Sequence, residues 1–483
     1  MHDYQRIPAK PIAPNDDTNL RWSENALRKR LLSGEYEQDL EDELYRHLPS
    51  DRREAWGVTD MSSNPMEQVT RQLSVLYHEN PIVTNSEDIS ELVSRDGYMT
   101  KSGIWSMMQR VQQLTLGIRE TIVRIDVSPK GTRTEGIIYR VVTPDFVYIE
   151  SSEDNPEIPL YYQELRLRYD ETNREYSWVA DIMDIRDEKN PKFYLRKVQP
   201  NGELGEDVSS IFMEKPMLGN DYPFRDKQNR PYLPIVIYHA QKTGKLWNSF
   251  DCQTLISGSL SSMVLFSFWL HVVRDCSWVQ RYATNVFVSG LTQNSLDEPA
   301  RRSSISTDPS SILIFQQDPD INTQPVIGQF EAGADPEKLL QAVASYEYRV
   351  AVSAGISPSE LTRTSSDPRS GYSLSVSRQG QRESSRSYAP VFRLADEELC
   401  QKTAMLCNRF LGTSLPEFGY RVSYQALEYS PEEKEAIRRD VIEKLSSSLI
   451  SPIDAIRQLN PDMDEEEARQ TLLRIRREKA EFL

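Results

Sequence analysis

Side chains able to do chemistry are present in this sequence, but their spacing assembles no reaction centre. Five histidines occur, His2, His47, His78, His239 and His271, and none belongs to a HExxH or a two-residue metal spacing. A metal hydrolase needs such a pair, so that chemistry is unsupported. GxSxG does not occur, and Gly258 and Ser259 fall inside an apolar helical run rather than on a strand-to-helix elbow. Thr243-Gly244-Lys245 resembles a fragment of a phosphate loop, but the upstream glycine position holds His239 and Trp247 follows, so the cradle for a phosphate is missing. The acidic run Asp464-Glu465-Glu466-Glu467 opens a helix, where the positive end of the dipole explains it without a metal. Cys252, Cys276, Cys400 and Cys407 form no CxxC pair and read as reduced thiols. The expectation is a protein with no catalytic residue, no metal and no cofactor.

Charge narrows the class further. The formal net charge of −16 argues against a protein that grips DNA by releasing counterions, because such proteins present an excess of cations to phosphate. At 483 residues, several domains or one elongated multi-part subunit are expected, and the mean hydropathy of −0.58 suits a polar chain whose remaining surface is covered by further copies. Residues Met1 to Leu20 carry no apolar core of a signal peptide, so synthesis in a cytoplasm is expected. One stretch, Leu255 to Val273, has the length of a membrane span. It contains Ser257, Ser259, Ser261, Ser262 and Ser267 and is bounded by Asp251 and Arg274, which favours a helix buried in protein over one in lipid.

These residues have to be positioned by elements that fall into five parts. The first, to about Arg119, is helical, with starts at Ser23 before ENALRKRLL, closed by Gly34, and at Asn64-Pro65-Met66-Glu67 before VTRQLSVLY. From Thr121 to His239 the period changes to two, and TIVRIDV, GIIYRVV, FVYIES, YYQELRLRYD, EYSWVADIMD, KFYLRKV and LPIVIYH predict a meandering antiparallel sheet with a turn at Pro200-Asn201-Gly202. Arg166, Arg168, Arg174 and Arg196 alternate with apolar residues there and read as its solvent face. The third part is an apolar helix from about Gln253 to Arg281. The fourth holds the strands NVFVSG, SILIF and PVIGQF, with Arg301 and Arg302 in a polar loop, and then a return helix capped by Asp335 and Pro336 and closed at Gly355. Leu339, Leu340, Val343, Tyr346 and Val350 form one face of that helix.

The fifth part follows the loop ISPSELTRTSSDPRS. A helix runs from Ser370 to about Phe410 with Pro390 predicting a kink, and Gly412 ends it. After the strand YRVSYQAL come three helices capped at Ser430-Pro431-Glu432-Glu433, Ser451-Pro452-Ile453-Asp454 and Asp464.

This order of segments resembles the portal proteins of tailed bacteriophages, and the resemblance covers nearly the whole chain. Its most specific phrases are Gly355-Ile356-Ser357-Pro358, the Ser370-Gly371 pair that reopens a long helix, and the C-terminal KLSSSLISPIDAIRQLNPDMDEEEARQTLLRIRREKAEF. The fold class implied is α+β: an elongated portal-type subunit with a β-rich wing, paired stem helices, a small α/β clip, a long kinked helix and a helical crown. The segments would be 1–120 for the helical part of the wing, 121–250 for its β-rich part, 251–282 and 335–355 for the stem helices, and 283–334 for the clip. A channel loop at 356–370, a long helix and strand at 371–428 and a crown at 429–483 complete the match.

The resemblance implies that Arg363, Thr364, Ser365, Ser366 and Arg369 face DNA in the channel loop, and that Arg301 and Arg302 serve partner docking in the clip. Leu265, Trp269, Leu340 and Val343 would pack the stem. The implied function is a ring of about twelve copies at one capsid vertex of the virion, made in the cytoplasm of a bacterial host. Such a ring passes double-stranded DNA without sequence specificity during packaging and ejection. The implied partners are the terminase large subunit, the major capsid or scaffolding protein, and head-completion or adaptor proteins, with no membrane anchor. The lysine-rich channel lining of some portals is absent here, and other phage structural proteins, a head-tail adaptor or internal scaffold, form the alternative.

Overall fold

The computed structural model describes residues 9–48, 61–128, 136–170, 174–212, 221–277, 281–284, 286–288, 315–317, 326–329, 335–354, 371–425, 431–447, 449–459 and 468–475. The fold mixes helix and sheet, 49% and 21%, which makes it α+β. The chain divides into two units, one of Met1–Glu35, Met66–Leu255 and Ala351–Leu483, the other of Tyr36–Pro65 and Ile256–Val350.

The first unit opens with the helix Asp16–Ser33. Its cap is Asn15, whose side-chain oxygen accepts the Thr18 amide at 2.8 Å, and Gly34 closes it. The start expected at Ser23 is therefore corrected: Ser23 lies inside the helix and its hydroxyl donates back to the Asn19 carbonyl at 2.9 Å. Asp16 and Asp17 occupy the first turn, where the dipole favours them. Helix Pro65–Leu73 begins at the expected proline.

Sheet pairing is antiparallel throughout, but the single expected meander is two sheets. Strands β1 (Ile82–Thr84), β2 (Glu120–Ser128), β3 (Gly136–Val142), β4 (Val147–Ser151), β5 (Pro159–Asp170), β6 (Glu175–Asp184), β7 (Lys192–Val198), β8 (Leu204–Asp207) and β9 (Ile235–His239) follow in order. A five-stranded meander runs β4-β5-β6-β7-β8, whereas β9 returns to β2, with Val123 opposite Val236, in the order β3-β2-β9. The apolar alternation of β2 and β9 is satisfied by a core shared with helix Ile104–Ile118, where Ile104, Met108, Val111, Ile122, Val123, Ile125, Val236 and Tyr238 are buried. The meander has its own core on one face, where Trp22 and Ala13 cover Tyr161, Leu165, Ala180, Ile182 and Val198.

Helix Gly371–Leu406 passes through Pro390, as the uninterrupted helical pattern requires. A π-turn, Cys407–Leu411, ends it; the Gly412 N–H bonds the Cys407 carbonyl, and its φ of 74° turns the chain so that the Thr413 N–H reaches the same carbonyl at 3.5 Å. Strand β14 (Arg421–Ser423) then pairs with β1, with Val422 opposite Val83, inserting a strand into the first, otherwise helical, part. Helices Pro431–Ser446 and Pro452–Leu459 follow. The second shows the predicted reciprocal cap: the Asp454 amide donates to Ser451 Oγ at 3.1 Å, and Ser451 Oγ donates to the Asp454 carboxylate at 2.7 Å. The start proposed at Asp464 lies outside the described residues.

The second unit contains helix Glu37–His47 and most of the helices Gln253–Ser277 and Pro336–Ser353. The first of this pair is shorter than expected. Past Ser277, strand β10 (Arg281–Thr284) pairs with β13 (Val326–Gln329), so these residues take their backbone hydrogen bonds from a ladder. Strand β11 (Val286–Val288) pairs with β12 (Phe315–Gln317), and both ribbons are antiparallel. Phe315, last residue of SILIF, begins β12, and the four residues before it lie outside the described residues.

Candidate functional site: an antiparallel helix pair

Helices Gln253–Ser277 and Pro336–Ser353 pack antiparallel within the second unit, and three contacts fix their register. Gly258 lies against Val350: a Cβ built on Gly258 would be 2.6 Å from Val350 Cγ2. Ser262 Oγ donates to Glu347 Oε1 at 2.9 Å. Trp269 Nε1 donates to the Pro336 carbonyl at 2.9 Å, which satisfies the one hydrogen-bonding group of the indole.

The contact face mixes hydroxyls with apolar side chains. Ser259, Ser262 and Ser267 are buried, and so are Met263, Val343 and Val350. Ser267 Oγ returns to the Met263 carbonyl at 3.0 Å, and Glu347 Oε1 accepts from Ser63 as well as Ser262. At Gly258 the missing side chain makes room for Val350. Gln253–Arg274 is long and apolar enough to cross a membrane, with mean hydropathy 1.5, a test that the core helix of a soluble protein also passes.

The residues expected to pack this pair separate into two groups. Val343 is buried and Trp269 half-buried, its ring 5.0 Å from that of Phe266. Leu265 and Leu340 face outward, 38% and 39% exposed. Arg363, Thr364, Ser365, Ser366 and Arg369 lie outside the described residues, as do Arg301 and Arg302.

Ionisable groups in the first unit form three buried sites that sequence patterning missed. On one face of the meander, Arg124 bonds Glu164 at 2.7 Å, Asp181 at 3.0 Å and Asp126 at 3.0 Å, and Arg140 reaches Asp126 at 2.7 Å and Glu164 at 2.8 Å. Arg166 and Arg168, expected at a solvent face, both bond Asp181, at 3.3 and 2.8 Å. Burial alone would raise the Glu164 carboxyl, but Arg124 and Arg140 outweigh it and hold it at about 2. The second site is Glu120, which accepts the Asn248 amide and is lifted by burial to about 7. Asp396, ringed by tyrosine hydroxyls, is the third. The signal for all three was a charged residue at a core-facing position, which can be recognised only once the elements packed against it are known.

His239 is buried, its Nδ1 has no hydrogen-bond partner in the described structure, and burial holds it at about 4. It lines a cavity of about 90 Å³ with Glu157, Lys242, Ala395 and Glu398. No group of three metal-ligating side chains occurs among the described residues. A comparison with protein-family models finds none that matches the chain, and a search of curated proteins finds no matching sequence.

Proposed function

We propose that this chain is a portal subunit: one wedge of a closed ring that conducts double-stranded DNA through a single vertex of a phage capsid. The observation that carries the reading is the antiparallel helix pair joined by two β-ribbons, an outgoing helix, a strand-rich excursion and a returning helix. An isolated subunit has little use for such an excursion. Copies around an axis do, because each helix pair can pack on its neighbours under closed cyclic symmetry. The outward Leu265 and Leu340 supply apolar surface for that packing.

Net charge supports the same reading. Duplex DNA has to slide in both directions through such a ring, and lasting Lys or Arg contacts to phosphate would brake it. A chain with a net charge of −16 holds DNA weakly and keeps the path open. In this reading, 356–370 borders the channel, and 283–334, with Arg301 and Arg302, meets the terminase large subunit and later the head-completion or adaptor proteins. The rest of the ring meets the major capsid or scaffolding protein. The helix Gln253–Ser277 is then a stem helix buried between protein surfaces rather than a membrane anchor.

Native mass spectrometry of the purified chain in detergent-free buffer tests this. A mass near twelve times 55.7 kDa is expected. A monomer, or an open-ended series of assemblies, would favour an adaptor or scaffold instead.

A further inference from the structure

The C-terminal half of helix Gly371–Leu406 carries a carboxyl group in the middle of its apolar face. Asp396 is fully buried, between Phe392 and Leu399 in sequence, both of which belong to the main core. Three tyrosine hydroxyls converge on it. Tyr238 donates to Oδ1 at 2.8 Å, Tyr424 to Oδ2 at 2.7 Å, and Tyr77 to Oδ2 at 2.9 Å and Oδ1 at 3.1 Å. The three come from well-separated places: Tyr77 follows helix Pro65–Leu73, Tyr238 lies on β9, and Tyr424 follows β14. The rings also pack on one another, with Tyr77 edge-on to Tyr424 at 5.6 Å.

Among the described residues the partners of this carboxyl are hydroxyls, and none is a cation. The other ionisable groups close by do not neutralise it. Glu397 is on the same helix and its Oε1 accepts the Val422 amide at 3.3 Å, while Cys400 lies one turn further on. Arg393 and Arg421 are exposed and line an outer groove with Glu397. His239, next to Tyr238 on β9, points to the opposite side of the strand and lines the cavity with Ala395 and Glu398.

A carboxylate in this cage has its oxygens answered by three phenol donors but is buried with no cation beside it, whereas a carboxylic acid fits the same oxygens once one phenol turns to accept its proton. We propose that Asp396 is a proton-operated anchor: protonated, it seats the C-terminal half of the long helix on β9 and the β1–β14 ribbon, and ionised, it loosens that seat. The anchor stands independently of the portal reading, since every group in it belongs to the first unit.

Burial raises Asp396 to about 7, against the lowering effect of the three hydroxyls, so the change falls near neutrality. Its folded value exceeds the ordinary 3.8, so the stabilisation is complete below about 4 and is lost as pH rises through about 7. His239, held at about 4, stays neutral across most of that window and does not contribute a competing charge above pH 5.

Amide hydrogen exchange of Phe392–Leu406, corrected for intrinsic rates, tests the proposal. Protection in the wild-type chain is expected to fall about a hundredfold from pH 5 to pH 8, because pH 5 lies about two units below the switch and each unit is tenfold. Asp396→Asn keeps the shape without the charge, and its protection is expected to be equal at both pH values. If that variant does not fold, Tyr424→Phe serves: it removes a hydroxyl that lowers the carboxyl, so the midpoint of protection loss is expected to move to higher pH. Wild-type protection that does not change with pH, an equal loss in Asp396→Asn, or an unmoved midpoint in Tyr424→Phe would overturn the proposal.

Discussion

Gly258 and Val350 touch so closely that the helix at 258 has no room for a side chain. A Cβ there would meet the Val350 Cγ2 at 2.6 Å and Cγ1 at 3.1 Å, and a β-branched side chain cannot swing aside. Elsewhere in a helix, Gly→Ala gains about 1 kcal/mol of helix propensity. Here the overlap costs about 1–3 kcal/mol, so Gly258→Ala is expected to destabilise the second unit or leave it unimproved. Gly258→Leu is expected to separate the pair. Adding Val350→Ala restores space, so chemical denaturation of the double variant should show less than the sum of the single losses.

The Arg124 network predicts a sharp contrast between two of its members. Asp181 is fully buried and answers Arg124, Arg166 and Arg168. Four arginines (124, 140, 166, 168) face three carboxylates (126, 164, 181), so Asp181→Asn leaves two buried positive charges in excess where there was one. That variant is expected to lose about 3–5 kcal/mol of stability. Arg166, a third exposed at its side chain, should lose no more than about 1 kcal/mol as Arg166→Gln. Urea unfolding of both variants checks the difference.

Stability should peak on the acid side of neutrality. Glu164 and Asp126 are held at about 2 by Arg124 and Arg140, against burial that would raise them, and both lie below their ordinary 4.5 and 3.8. Their contribution is present above about 4 and is lost as pH falls toward 2. Glu120 behaves in the opposite sense: burial lifts it from 4.5 to about 7, so its contribution is lost as pH rises through about 7. Thermal unfolding from pH 3 to pH 8 should show both slopes, and Glu120→Gln should shallow the neutral one to the part that Asp396 contributes while leaving the acid one intact.

What could be read in advance was what neighbours in sequence decide. Asp335 caps the return helix, its carboxylate accepting the Glu337 amide at 3.0 Å, and the Ser451–Asp454 box closes as its spacing predicts, because both devices span three residues or fewer. Ser23 misled because a serine inside a helix can satisfy its hydroxyl on the carbonyl four residues back. Arg166 and Arg168 follow the period of two correctly, yet period alone says which side chains share a face and not what covers that face. Glu164 stands directly opposite Asp181 in the register of β5 and β6, a repulsive pair until Arg124 of β2 is placed between them. The cage around Asp396 unites residues 77, 238, 396 and 424, separations no local pattern reaches.

Deleting Thr362 to Asp367 is expected to leave ring assembly unchanged while impairing DNA packaging or its retention in filled heads. Normal packaging by that variant would remove the channel role from this segment. Charge reversal at Arg301 and Arg302 should weaken terminase docking and spare ring assembly, as read by co-sedimentation of the two proteins.

Negative-stain imaging of the purified chain, without detergent, examines the ring itself. Closed rings of about twelve copies with an open centre are expected, and Leu265→Asp together with Trp269→Asp should abolish them while the chain stays folded by circular dichroism. Recovery of the chain only in a detergent-extracted membrane fraction, with no ring in any field, would contradict both the buried stem helix and the portal reading built on it.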